Sequence, residues 1–201
     1  LTSALMSSPE FEVNPSLKES FSRGFDRYEY VDNLPISRAY PVSGDLKSEL
    51  DSFGKNKFFW WLAIGGVHWP YGVFLSDSFV DVDYDGILKD KALSWNEFQS
   101  IYKGVHYPEG SKLDRSDIRY VRDQYDNGVK AFDGFLGKLF DELENRKLID
   151  DTIIVIQSEH GEGLHEHGYF AHYDVMDTQV HTPLLILYPH LKEGMRISSF
   201  A

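Results

Sequence analysis

The sequence predicts an α/β fold with a largely parallel sheet, and three features predict it. Lys57–Gly66 is a near-continuous apolar run, bounded by charge on one side and glycines on the other. Leu113–Arg146 carries a strong helical period. Asp151–Ser158 (DTIIVIQS) and Pro183–Tyr188 (PLLILY) are two further short apolar segments. The order strand, helix, strand, loop, strand is that of an α/β sandwich.

Residues 1–55 are rich in Ser, Pro, Asn and Gly and lack a sustained period, so they read as mostly irregular, with a short helix near Asp45–Phe53. The run Lys57–Gly66 has the pattern of a strand buried on both faces. Val67–Tyr71 then forms a loop at the strand's carboxyl end, the edge of an α/β sheet where ligands bind. Asp77–Gly110 is acidic with scattered aromatics and reads as loops and short helices. In the helical stretch, Ile118, Val121, Tyr125, Val129, Phe132, Leu136, Leu139, Phe140 and Leu143 recur three or four apart. Asp114 is its expected N-cap. Gly134 and Gly137 weaken its middle and favour close packing there, so the run reads as two helices or one bent helix. Asp151–Ser158 is a second buried strand, Glu159–His172 a charged, His-rich loop, and Pro183–Tyr188 a third apolar strand. No internal repeat, low-complexity tract or second domain is visible, and residues 1–201 are treated as one domain.

Composition narrows the function classes. The chain has 32 Asp and Glu against 20 Lys and Arg, a net charge of −12. That disfavours nucleic acid and anionic membranes as partners, which need basic patches. It leaves a small anionic substrate open, because a bound divalent cation inverts the local field of an acidic protein. No run approaches the ~18 apolar residues of a transmembrane helix. The chain has no Cys, which excludes disulfides, thiolate zinc sites and a thiol nucleophile within it. It starts at Leu1 with no basic-then-apolar leader, so the natural start is expected to lie upstream.

Eight histidines stand at positions 68, 106, 160, 165, 167, 172, 181 and 190, four of them between 160 and 172. That stretch also holds Glu159, Glu162 and Glu166, and it begins where the Asp151–Ser158 strand stops. Carboxylate and imidazole at a strand's end form a divalent-metal or acid–base site; the competing reading is a solvated polar loop. His68, just after the first buried strand, is brought toward Glu159–His160 if both strands deliver their loops to one sheet edge. Taken alone it reads as a loop histidine packed on Trp69.

Two patterns are set aside. Asp81-Val82-Asp83-Tyr84-Asp85-Gly86 opens like an EF-hand calcium loop, but the twelfth position, which needs a bidentate Glu, is Ala92. It reads as an acidic surface loop. His160–His165 (HGEGLH) superficially resembles a zinc-protease helix. Its two His are five apart with two glycines between them, so they do not share the i, i+4 face that chemistry requires.

Four segments resemble the sulfatase family, in that family's order. FSRGFDRYEY (residues 21–30) resembles its Arg-Gly-Phe-Asp segment, and GGVHWPYGVF (65–74) its strand followed by His-x-Pro-Tyr. YDNGVKAFDGFLGKLFDELENRKLIDDTIIV (125–155) resembles its long helix leading into the metal-site strand. IVIQSEHGEGLHEHGYFAHYDVMDTQVHTP (154–183) resembles the strand ending in Ser-Asp-His-Gly, the Gly-Glu-His-Gly stretch, the Lys or His, and the Arg or His before a Pro-Leu strand. The resemblance implies an alkaline-phosphatase-like α/β/α sandwich with a largely parallel mixed sheet, present here incompletely. It implies hydrolysis of a sulfate ester, of a small molecule or a carbohydrate, by a hydrated formylglycine beside a divalent metal, Ca2+ first, with Mg2+ or Mn2+ as alternatives. Carried over by position, Glu159 and His160 fall on two metal ligands. His68 falls on a histidine that contacts the sulfate or protonates the leaving oxygen, and His172 on the Lys or His that binds sulfate oxygens. His167 belongs to the Glu-His-Gly signature without a catalytic role, and His181 is structural or pocket-lining.

The departures define what is expected. The nucleophile motif Cys/Ser-x-Pro-Ser/Ala-x-Arg and the Asp-Asp metal pair are absent; Ser7-Ser8-Pro9-Glu10 lacks the Arg. The chain is therefore expected to be an internal piece of a catalytic domain, inactive by itself, with the formylglycine upstream. Glu159 stands where the family usually has Asp, which displaces the carboxylate by ~1.5 Å, enough to shift metal geometry. Two alternatives remain: a phosphoester hydrolase or phosphoethanolamine-type transferase of the same superfamily, and a degenerate, non-catalytic binding protein.

Overall fold

The computed structural model describes residues 1–6, 19–30, 44–65, 67–69, 71, 79–81, 83–89, 91, 95–102, 112–190 and 194–196. The Ser7–Glu10 stretch, His106, Ala92 and parts of GGVHWPYGVF and of Asp77–Gly110 lie outside them. The chain forms two compact units, Leu1–Leu139 and Phe140–Ala201.

The first unit is built on a parallel three-stranded sheet of β1 (Thr2–Met6), β2 (Arg27–Tyr30) and β3 (Phe59–Ala63), in the order β2-β1-β3. Ala4 pairs with Tyr28 on one side and Trp61 on the other. Being central, β1 buries Ser3, Ala4 and Leu5. The expectation that residues 1–55 are mostly irregular is thus corrected by two strands. Both are four or five residues long, too short to show a period. The Arg-Gly-Phe-Asp segment locks the entry to β1. The Asp26 carboxylate accepts from Thr2 N (2.8 Å) and Thr2 Oγ1 (3.1 Å), and Asp26 N donates back to Thr2 O (2.9 Å).

The expected short helix is present as α1 (Gly44–Phe53). Leu46, Leu50 and Phe53 form its buried stripe, spaced four and three apart. Beside them the buried Glu49 carboxylate takes the Arg27 guanidinium of β2. β3 is less buried than its apolar run predicts: Phe59 is exposed and the next four residues are half-buried.

α2 spans Trp95–Tyr102, and α3 runs unbroken from Arg115 to Asn145, one helix rather than two. Asp114 is its N-cap: Oδ1 accepts from Ser116 N (2.7 Å) and Asp117 N (3.0 Å), while Asp114 N donates to Asp117 Oδ2 (3.0 Å). This is a reciprocal capping box. Asp117 also anchors the acidic loop, because Tyr84 donates its hydroxyl to Asp117 Oδ1 at 2.6 Å and Ile87 N donates to the same oxygen at 3.2 Å. Desolvation first, then the Asp117 carboxylate, raises the Tyr84 pKa well above the usual phenol value. Asp81, Asp83 and Asp85 remain on the surface, as expected of a solvated loop. The buried face of α3 includes Asp117, Tyr120, Val121, Gln124, Asn127, Phe135, Leu139 and Leu143, whereas Val129 is exposed. The apolar stripe read from the sequence is therefore offset, because buried polar residues occupy part of the inward face. A Cβ at Gly134 or Gly137 would meet nothing within 4 Å, so neither glycine serves close packing.

The second unit continues from the end of α3 through a 3-10 turn (Ile149–Asp151) to β4 (Ile154–Gln157), β5 (Gly163–Leu164), β6 (Phe170–Ala171), α4 (Asp177–Val180) and β7 (Leu184–Leu187). β4 and β7 pair antiparallel, Ile154 opposite Leu187. The expectation that Asp151–Ser158 is a buried strand is corrected. β4 alternates half-buried and exposed residues, and all four residues of β7 are exposed. Among the described residues no further strand is hydrogen-bonded to this ribbon.

Candidate active site

The His-rich stretch begins where β4 ends. Ser158 Oγ donates to His160 O at 2.5 Å, a local closure that turns the chain directly after the strand. His160 Nδ1 lies 2.7 Å from Gly161 O. A carbonyl only accepts, so Nδ1 carries a proton, and in the neutral ring Nε2 is then the lone-pair nitrogen. That Nε2 lies 3.5 Å from Glu159 Oε1, and the Glu159 side chain is 89% exposed. The two residues expected to be metal ligands are thus presented side by side.

Gly161 sets the path of this turn. Its N–H donates to Gln179 O at 2.7 Å, and a Cβ there would fall 2.2 Å from Thr178 O. Gln179, buried on α4, also accepts from Asp174 N at 2.6 Å, so one residue ties both ends of the loop. What the sequence reads as a plain loop contains the β5–β6 hairpin, Gly163 opposite Ala171 and Leu164 opposite Phe170. Its tip is Glu166-His167-Gly168, held by Leu164 N donating to Glu166 Oε2 at 2.7 Å and His165 N to Tyr169 O at 3.0 Å. His167 thus sits in the hairpin tip. Ala171 has φ 82°, a conformation that strains a non-glycine residue, immediately before His172.

This kink delivers His172 onto His160: the two rings stack with centroids 3.8 Å apart and 23° between planes. His172 Nδ1 lies 3.3 Å from Glu162 Oε1, and the Glu162 side chain is only 7% exposed. The structure therefore brings Glu159, His160 and His172 together and adds Glu162, which the sequence analysis named among the stretch's carboxylates but gave no role of its own. Glu162 lies two residues after His160, but nothing in the sequence shows a hairpin pairing it with residue 172. His181 follows α4, its N–H donating to Asp177 O at 2.9 Å.

In the first unit, His68 lies after β3 in a turn in which His68 N donates to Gly65 O (3.2 Å) and Tyr71 N to His68 O (2.8 Å). Its backbone is fixed by aromatic neighbours. Trp69 packs on Phe98 (4.3 Å) and edge-on to Tyr71 (5.2 Å), and the buried Tyr71 packs edge-on to Tyr125 (5.4 Å). The His68 side chain is exposed, with Nδ1 3.0 Å from Trp69 O, so again Nδ1 holds the proton and Nε2 is presented.

A family model described as Sulfatase matches residues 23–200. The chain belongs to the sulfatase family. Among curated relatives, arylsulfatase K of Xenopus laevis is 30% identical over 52% of this chain, and arylsulfatase K of Mus musculus 28% over 59%. Human iduronate 2-sulfatase is 37% identical over 35% of it. The chain spans about a fifth of the length of each arylsulfatase K, the matches covering 20% and 22% of them. Among solved structures, the C-terminal periplasmic domain of EcEptC from Escherichia coli superposes with TM-score 0.56 at 15% identity, over 94% of this chain and 49% of that one. Lipoteichoic acid synthase LtaP from Listeria monocytogenes gives 0.55 at 15%, over 96% and 44%. At such identities these likenesses establish the fold alone, and it is the expected alkaline-phosphatase-like α/β class.

Proposed function

We propose that the protein is a sulfuric ester hydrolase that uses a divalent cation. Glu159 and His160 hold the cation, and His172 and His68 act on the sulfate group of a small-molecule or carbohydrate ester. The observation that carries this reading is the Glu159–His160 pair. With the His160 proton committed to Gly161 O, a carboxylate oxygen and an imidazole lone pair face each other at 3.5 Å. Two acceptors at that distance repel unless a proton or a metal cation lies between them. Adjacent ligands at usual metal–oxygen and metal–nitrogen bond lengths sit about 3.3 Å apart, so the pair fits. Among the described residues no group of three or more His, Cys, Asp or Glu is placed to hold an ion, so the pair is a partial ligand set. Its carboxylate suits Ca2+ first, with Mg2+ or Mn2+ as alternatives, and its imidazole favours the transition ion.

A cation held by Glu159 and His160 would supply charge neutralisation at the non-bridging sulfate oxygens of a bound ester. His172, stacked on His160, would donate a hydrogen bond from Nε2 to the same oxygens when its ring carries both protons, Nδ1–H remaining on Glu162. His68, when protonated, gives its Nε2 proton to the departing alkoxide. Its assignment to this site rests on the order of the family's motifs. The 201 residues contain no Cys and no Ser in the nucleophile motif, so the chain assayed by itself is expected to be inactive.

The test is turnover of an aryl sulfate and an aryl phosphate by the full-length gene product, with and without a chelator. Chelator-sensitive sulfate hydrolysis, lost in His68→Ala and His172→Ala, is the expected result. Preference for the phosphate ester would replace this reading with phosphoester chemistry. Absence of turnover, with Glu159→Ala leaving metal affinity unchanged, would replace it with a non-catalytic binding protein.

A further inference from the structure

The buried carboxylate of Glu162 has no part in the function proposed above. It sits two residues beyond the metal-ligand pair, and its neighbour Gly163 is packed so tightly that a Cβ would lie 2.8 Å from Ala171 O. That packing fixes where the Glu162 backbone stands relative to the residues just before His172. The carboxylate reaches His172 Nδ1 at 3.3 Å, the long end of a hydrogen bond, from a side chain 7% exposed. A carboxylate can only accept, so this contact requires the proton of a neutral His172 ring on Nδ1 and turns Nε2 to the opposite edge. One face of the ring is covered by His160 at 3.8 Å and Tyr173 lies 5.5 Å away in a near-parallel plane. The edge contact and the stack together leave His172 little rotational freedom.

We propose that Glu162 is a positioning residue: it fixes the orientation and tautomer of His172 so that Nε2 is the atom offered to the substrate. A carboxylate holding the far nitrogen of a working imidazole is a general device for fixing tautomer and ring direction. The same feature recurs in this unit by other means, since His160 Nδ1 is held by the Gly161 carbonyl. The difference is that a carboxylate is removable by a single substitution, whereas a backbone carbonyl is not. That His172 meets sulfate rests on the function proposed above; its tautomer does not.

The experiment is 15N–1H correlation spectroscopy of the histidine rings in the chain as it stands, at a pH where the rings are neutral. Expected is a protonated Nδ1 and an unprotonated Nε2 at His172. A wild-type ring protonated on Nε2 overturns the proposal without any variant. In Glu162→Ala the His172 ring should lose its single tautomer while His160 keeps its own. Glu162→Gln, whose amide oxygen can still accept, should restore the wild-type pattern. An unchanged His172 spectrum in Glu162→Ala overturns the proposal. In the full-length protein Glu162→Ala should lower kcat/KM for a sulfate ester by about 10- to 100-fold, with Glu162→Gln recovering part of it. If the tautomer responds as expected but no sulfate ester is turned over by the wild type, the positioning role stands and the assigned reaction fails.

Discussion

His160 and His172 stack face to face, ring centroids 3.8 Å apart, although eleven residues and a hairpin separate them along the chain. The stack couples a residue assigned to metal to one assigned to the substrate, so a cation at the first must be felt at the second. Titration of the chain with Mn2+ should broaden the ring resonances of His160 and His172 together, before those of His181 or His190. Glu159→Ala should weaken that response by more than about tenfold, because losing a ligand costs at least what losing a ligand's support costs. Broadening spread evenly over the exposed histidines would mean nonspecific binding.

The loop that builds this stack depends on Gly161. A methyl there would fall 2.2 Å from the Thr178 carbonyl oxygen, and the obstructing atom is backbone, so no side chain can swing away. Gly161→Ala should therefore destabilise the fold by about 1–3 kcal/mol, as overpacking does, and should separate the His160 and His172 rings. Thermal denaturation gives the first effect and ring nuclear Overhauser contacts the second. Wild-type stability in the variant would show that the Thr178 carbonyl does not confine residue 161.

The candidate site was legible in the sequence because Glu159 and His160, the residues proposed as ligands, are contiguous. Glu159 and His160 follow a strand recognisable from four apolar residues, and short-range turns fix their geometry. Asp114 was legible as a cap for the same reason. The β5–β6 hairpin and the Glu162–His172 contact were not. Each strand is two residues long, and their pairing is secured by Gln179, up to eighteen residues away, through bonds that exist only once the unit has closed. β1 was not read as a strand because its five residues, Thr2–Met6, are too few to show a period. The α3 stripe was misplaced because Asp117, Gln124 and Asn127 face inward. Their burial is stabilised by partners such as Tyr84 Oη and Phe79 N, which no periodicity reveals.

Acid should unfold the protein partly through two carboxylates. The Thr2 backbone N–H, then its hydroxyl, lowers the Asp26 pKa; the Ser116 hydroxyl, then the Asp117 and Ser116 N–H groups, lower that of Asp114. Folded values below the ordinary 3.8 mean stabilisation that is complete above that pH and is lost as pH falls through the folded values. Asp123 has the opposite sign: desolvation first raises its pKa, with Asp126 and Asp81 adding and Arg119 opposing. It costs stability above its raised value, and that cost disappears as pH falls through the folded and then the ordinary value. Denaturant unfolding across pH 2–7 should show Asp26→Asn and Asp114→Asn with a flatter acid limb, and Asp123→Asn more stable than wild type at pH 7 only. An acid limb that neither Asn variant alters would place the acid sensitivity elsewhere.

α3 and its C-terminal closure offer stabilisation without touching the site. Gly134 and Gly137 lie in the helix interior with open space where a Cβ would go. Each conversion to Ala should add about 0.5–1 kcal/mol, because glycine loses more backbone freedom on folding. The helix stops in a Schellman closure, with Leu148 N donating to Leu143 O (2.9 Å) and Lys147 N to Glu144 O (2.8 Å). Lys147 occupies its left-handed position at φ 57°. A side chain there costs about 1–2 kcal/mol of strain, and glycine's greater freedom when unfolded returns about 0.4–1 of it. Lys147→Gly should thus be mildly stabilising although it removes a side chain. Additivity is expected between Gly134 and Lys147, more than three helical turns apart along α3. Denaturant midpoints of the single and combined variants check each increment, and a loss on Lys147→Gly would mean that the lysine side chain makes a contact worth more than the strain it imposes.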